Sequence, residues 1–209
     1  MKTIWTHALI FMHKHIKFDT ERFKDFSSTS SLEPSCSSMS TVDESKISLQ
    51  SAIPTGPWTL YFHSPQETKW TLNTFISLGS MKTWHQFWSI MEALNIESFS
   101  DGMFFLMRDP SPPLWESHHH IRGGCYSFRC QKKEAAEVYV TYAIGAMLDM
   151  LSAKENRVNG ISISPKRGFN IIKVWNTDAQ KCHSPADLEA VSSIKESDII
   201  YTPFVQKKM

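Results

Sequence analysis

Trp58-Thr-Leu-Tyr-Phe-His63 sets Trp58, Leu60 and Phe62 against Thr59, Tyr61 and His63, and this period of two marks a strand with one buried face. A polar turn from Ser64 to Lys69 leads into a second predicted strand, Trp70 to Leu78. The period then changes. Trp84, Phe87, Trp88, Met91 and Leu94 recur at spacings of three and four, the stripe of an amphipathic helix that Ser80 is placed to cap. A hairpin followed by a helix that must cover it is the unit from which the rest of the domain is read.

Downstream, Asp101-Gly102 turns into an apolar strand, Met103 to Met107, and a long loop from Arg108 to Gly124 precedes another strand, Cys125 to Cys130. A helix is predicted from about Glu134 to Ala153, apolar through Val140, Ala143, Met147 and Leu151. Ile161 and Ile163 alternate with serines, Ser164-Pro-Lys-Arg-Gly168 turns, and Asn170 to Trp175 returns as a strand. A last helix is predicted from the Ser184-Pro185 pair through Leu188, Val191 and Ile194, with Ile199 to Tyr201 closing a sheet edge. Hairpins recur and helices do not alternate regularly with strands. The expected class is therefore α+β: an antiparallel sheet with helices on one face and the other face open to a ligand.

Composition narrows the setting. A chain of 209 residues with 41% hydrophobic content can build one domain with a real core. Residues from about Asp25 to Ser51 are rich in serine and threonine, so residues 1–53 read as a disordered extension and 54–209 as the folded domain. Met39 opens Met39-Ser-Thr-Val-Asp-Glu-Ser45, a natural-looking start, and residues 1–38 read either as an upstream stretch outside the native protein or as a variable extension. The apolar run Thr3 to Met12 is interrupted by His7 and bounded by His13, has no clean cleavage site, and is shorter than the ~20 residues of a spanning helix; it is read as non-secretory. Four cysteines without a C-x-x-C pair suit a reducing compartment. With a net charge of +1, an anionic partner has to be held by a local basic patch.

The long loop carries the chemistry. Ser111-Pro-Pro-Leu-Trp-Glu116 puts an indole beside a carboxylate, and Arg122-Gly-Gly124 closes the segment. A π-face next to a two-point acceptor suits a flat heterocycle with N–H donors, of which guanine is the obvious example. Trp70 and Trp175 supply further rings. Taken singly, each residue also has a plain reading: a strand tryptophan as core, Trp58 above all, Glu116 as a solvated carboxylate, Lys166 and Arg167 as turn charges. His118-His119-His120 reads as a solvent-facing loop and not as a metal site, because consecutive histidines rarely converge on one ion. No nucleophile elbow, phosphate-binding glycine loop or H-E-x-x-H is present in the sequence. Asp101, Asp109 and Glu116 leave a magnesium-dependent nucleotide hydrolase open as the rival class.

The order and spacing of Trp58, Trp70, Trp88, Leu114-Trp115-Glu116, Arg122-Gly-Gly124 and Trp175 resemble the eukaryotic translation initiation factor 4E family, over roughly Pro54 to Tyr201. The resemblance implies a curved antiparallel sheet with about three helices on its convex face and a concave slot for the 7-methylguanosine cap of messenger RNA. By it, Trp70 and Trp115 sandwich the methylated base, Glu116 reads the guanine edge and Trp175 touches the N7 methyl. Lys166 and Arg167 meet the triphosphate, with Arg122 behind them. The same resemblance implies a scaffold or repressor partner bearing a helical Tyr-x-x-x-x-Leu motif, docked around Trp88, Val140 and Ile144. It implies a monomeric, cytoplasmic and nuclear, non-enzymatic protein without cofactor, metal or membrane attachment. Thr141, where most members carry glutamate, and the basic turn Ser164 to Phe169 depart from the pattern. They imply a divergent member, as in a protist lineage such as the kinetoplastids, and either an activator or a repressor of translation.

Overall fold

The computed structural model describes residues 48–94, 99–152, 157–189 and 194–205. Seven strands run through them: β1 Trp58–His63, β2 Ile76–Met81, β3 Met103–Arg108, β4 Gly124–Gln131, β5 Val158–Pro165, β6 Phe169–Asn176 and β7 Ile200–Pro203. They form one sheet in the order β2-β1-β3-β5-β6-β4-β7, and every pairing is antiparallel. Two α-helices accompany them, α1 Trp84–Ala93 and α2 Ala135–Met147. The α+β class is as expected, and the β7 edge falls where Ile199 to Tyr201 placed it.

The period of two sorts the sheet into two faces. Trp58, Leu60, Phe104, Leu106, Ile161, Ile163, Ile172 and Val174 join the main core with Trp84, Phe87 and the buried residues of α2. Sealing each such large apolar side chain contributes about 1.5–3 kcal/mol. Phe105, Met107, Cys125 and Trp175, interleaved between them, form a second cluster on the other face. Trp58 is the core residue it was taken to be; its Nε1–H donates to Thr55 Oγ1 (2.9 Å), and Thr55 donates to the Met147 carbonyl at the end of α2 (2.9 Å).

Four local expectations change. The second strand begins at Ile76 and not at Trp70, because Leu72–Thr74 forms a 3-10 turn in which Thr74 Oγ1 donates to the Thr71 carbonyl (2.7 Å). Hydroxyl side chains that bond nearby carbonyls favour such turns over strand. The cap of α1 is Thr83, paired with Gln86 in a capping box, while Ser80 stays in β2 opposite Thr59. Helix α2 stops at Met147 instead of Ala153, where Asp149 takes φ 58° and Met150 N–H bonds the Gly145 carbonyl (2.8 Å). The predicted third helix is one 3-10 turn, Pro185–Asp187, after which Leu188 is extended and bridges Ser152; Val191 lies outside the described residues. Among the described residues there are two α-helices, not three.

Candidate functional site

On the face away from α1 and α2, a cleft of about 410 Å³ lies between the sheet and the loop 109–123. β3, β5 and β6 make its floor through Phe105, Ser162, Lys173 and Trp175, alternate residues of their strands. Trp70 and Trp115 stand at its walls, 48% and 46% exposed, unusual values for so large an apolar ring. Glu116 and Lys166 also line it, both exposed to solvent.

Trp70 is held from behind. The imidazole of His63 lies parallel to its indole, 4.2 Å between centroids and 6° between planes. Phe75 and Phe105 flank it at steep angles, with ring centroids 6.0 Å and 6.5 Å away. Trp175, 5% exposed, is fixed at the floor, its Nε1–H donating to Ser162 Oγ (3.0 Å).

The loop 109–123 is tied down at several points. His120 is fully buried; its Nε2–H donates to the Pro112 carbonyl (2.8 Å), and Asn159 Nδ2 donates to its Nδ1 (2.9 Å). Burial, more than the neighbouring His119 and His118, holds its pKa below the ordinary value for histidine. This corrects the solvent-facing reading of the histidine run: His118 is exposed, but His120 is a buried strut whose ring edge meets Trp175 at 5.2 Å. The glycine pair has a steric cause. A Cβ on Gly123 would collide with the Asn176 carbonyl, and one on Gly124 with the Tyr201 hydroxyl and the Thr202 carbonyl. Gly124 N–H bonds Asn176 Oδ1 (2.8 Å), Gly123 accepts from Phe204 N–H (3.0 Å), and Arg122 accepts from Ala179 N–H (2.9 Å).

Trp70, Trp115, Glu116, Lys166 and Trp175 thus share one cleft. Arg167 does not line it, and neither does Arg122, whose side chain is 81% exposed beside Asp178 at 3.9 Å in a separate depression. Lys173, on β6, is a second cation lining the cleft beside Lys166. It was legible in principle, since Ile171, Lys173 and Trp175 alternate on one face of β6. His63 also went unrecognised, because alternation alone assigned it only to the face opposite Leu60. Trp88, Val140 and Ile144 are all buried against the main core, so they present little surface of their own. No group of three or more His, Cys, Asp or Glu able to hold a metal ion occurs among the described residues.

The family model described as "Eukaryotic initiation factor 4E" matches residues 55–199. Eukaryotic translation initiation factor 4E-1 of Schizosaccharomyces pombe is 28% identical over 155 residues, 68% of this chain and 69% of that protein. Among solved structures, Caenorhabditis elegans eIF4E-3 in complex with the 4E-binding protein Mextli and a cap analog is similar at a TM-score of 0.53. It is 13% identical, with 60% of this chain and 73% of that one covered. Ascaris suum eIF4E-3 with an m2,2,7G cap gives 0.51 at 15% identity, covering 59% and 72%. At such identities the structural likeness speaks for the fold.

Proposed function

The chain belongs to the eukaryotic initiation factor 4E family, and from that premise we propose that it binds the 7-methylguanosine cap of messenger RNA between Trp70 and Trp115 and brings capped messages to the translation initiation machinery. Proteins of this family bind caps and are not catalysts, which sets aside the hydrolase reading. The observation that carries the proposal is the pair of half-exposed indoles on the walls of one cleft that also contains a carboxylate and two lysines.

The chemistry follows from those groups. Methylation at N7 gives guanine a delocalised positive charge, and an indole face attracts a cationic ring more than a neutral one. Stacking contributes about 1–3 kcal/mol per base with little preference among bases. Glu116, which only accepts when ionised, takes the N1 and exocyclic N2 protons; adenine has no matching donor pair. The backbone N–H of Trp115 meets O6, and Trp175 bounds the space for the methyl group. Lys166 and Lys173 neutralise the phosphate chain, while Arg167 and Arg122 can act only from outside the cleft.

A scaffold or repressor protein with a helical Tyr-x-x-x-x-Leu motif would dock on the helix-bearing face around the edge of Trp88, with Val140 and Ile144 supporting that surface from beneath. A relative solved with Mextli makes a partner of this class the first to try. The test is titration with 7-methyl-GTP and GTP, followed by tryptophan fluorescence. Strong quenching by the methylated nucleotide and much weaker quenching by GTP is expected; equal response to both would overturn the proposal.

A further inference from the structure

From the parallel stack beneath Trp70 we infer that His63 is a positioning residue, which fixes the plane of the indole so that its outer face stands ready for a flat ligand. The inference rests on the cap-binding reading of the cleft and adds to it the group that holds one wall in place.

His63 ends β1 and is fully buried, although the residue it supports is half exposed. Its ring is itself immobilised. Nε2 lies 3.1 Å from the Lys69 carbonyl and 3.3 Å from Thr74 Oγ1, so an N–H there is anchored to the segment carrying Trp70. Nδ1 is sealed from solvent and finds no hydrogen-bond partner among the described residues, so the ring's tie to its surroundings runs through Nε2. Phe75 packs against the imidazole at 4.6 Å, and Phe75 and Phe105 stand steeply inclined to the indole, at 60° and 76° between planes. Trp70 is therefore backed by His63 on one face and flanked by two inclined phenyl rings, while about half of it stays exposed.

That confinement matters because Trp70 lies on no strand or helix. It belongs to the loop before the Leu72–Thr74 turn, and a ring there would otherwise sample several rotamers. A loop side chain that has to be ordered on binding weakens affinity; one ordered beforehand does not. A histidine suits the position better than a purely apolar ring, because its N–H also ties the stack to the Lys69 carbonyl, directly before Trp70.

The experiment compares wild type, His63→Ala and His63→Phe in full-length protein. Binding of 7-methyl-GTP is measured by calorimetry, and 5-fluorotryptophan 19F spectra are recorded without ligand, with Trp70 assigned from Trp70→Phe. His63→Ala should bind roughly three- to tenfold more weakly, the loss expected for ordering one large side chain on binding. Its Trp70 resonance should broaden or move towards the solvent-exposed position. His63→Phe keeps the plate and should recover most of the affinity and the wild-type resonance. Affinities are expressed per folded molecule from unfolding curves, which separates lost stability from lost positioning. Failure of the wild type to bind would sink the cap reading and this inference together. Binding by the wild type with an unchanged His63→Ala affinity and Trp70 signal would sink the inference alone.

Discussion

Acidification should loosen the loop that carries Trp115 and Glu116, through one residue, His120. Its neutral ring is used at both nitrogens: Nε2–H donates to the Pro112 carbonyl and Nδ1 accepts from Asn159. A proton arriving at Nδ1 would set two donors against each other inside a fully buried site. The lost bond and the stranded donor together cost about 1–3 kcal/mol. Asn159 offers partial relief, since its Oδ1 is buried with no hydrogen-bond partner among the described residues and half a turn of the amide would present it to the new proton. That turn would give up the contact of Nδ2 with the His119 carbonyl (3.4 Å), so the lower part of the range, about 1–2 kcal/mol, is the expected penalty.

The direction follows from linkage. Burial lowers the folded-state pKa of His120, so the unfolded chain takes up the proton first, near the ordinary value of about 6.5. The stability contributed by the neutral ring is whole above that value and is lost as pH falls through the depressed folded pKa. The other charged groups facing this site are His118 and His119, on the same loop; β5, β6 and the segment after β7 present Asn159, Trp175 and Phe204, which do not titrate. Urea unfolding at pH 7.5, 6.5 and 5.5, for wild type and His120→Gln, isolates the effect from the remaining histidines. The wild type should lose about 1 kcal/mol more than the variant over that interval, since linkage to one group titrating near 6.5 in the unfolded chain allows little more by pH 5.5. Equal slopes in the two proteins would refute the assignment of His120 as a neutral strut.

Other expectations concern individual side chains. Glu116→Gln should weaken 7-methyl-GTP binding by roughly ten- to a hundredfold, because an amide turns one of two acceptors into a donor; calorimetry checks this, and unchanged affinity would remove Glu116 from base reading. Lys166→Met and Lys173→Met should each flatten the gain in affinity from 7-methyl-GMP to 7-methyl-GTP, while Arg167→Met leaves it near wild type; a larger effect from Arg167 would reverse the assignment. Gly123→Ala should destabilise the protein by about 3 kcal/mol or more, as a Cβ there meets main chain and not a flexible side chain; thermal melting within two degrees of wild type would count against that.

What the sequence disclosed, and what it hid, follows from how far each signal reaches along the chain. Alternation within one strand is local, so β1, β3, β4 and β6 were legible nearly to the residue, while β5 showed only its middle, Ile161 and Ile163, and not its start at Val158. Helix ends are set by competition between neighbours, and there the reading slipped. Thr83 outcompetes Ser80 because Gln86 returns its hydrogen bond, and α2 ends early because Asp149 adopts a left-handed conformation that composition does not announce. The motif Leu114-Trp115-Glu116 marked the cleft because its polar and aromatic parts are adjacent in sequence. The groups that hold the cleft in shape are not adjacent to what they support. His63 and Trp70 are joined across a polar turn, and His120 reaches β5 through Asn159. Arg167 illustrates the same limit from the other side. At the hairpin tip, where Lys166 N–H closes onto the Phe169 carbonyl (2.8 Å), Lys166 lines the cleft and the next residue, Arg167, does not. The second cation of the cleft is therefore Lys173, in register with Trp175 on the strand.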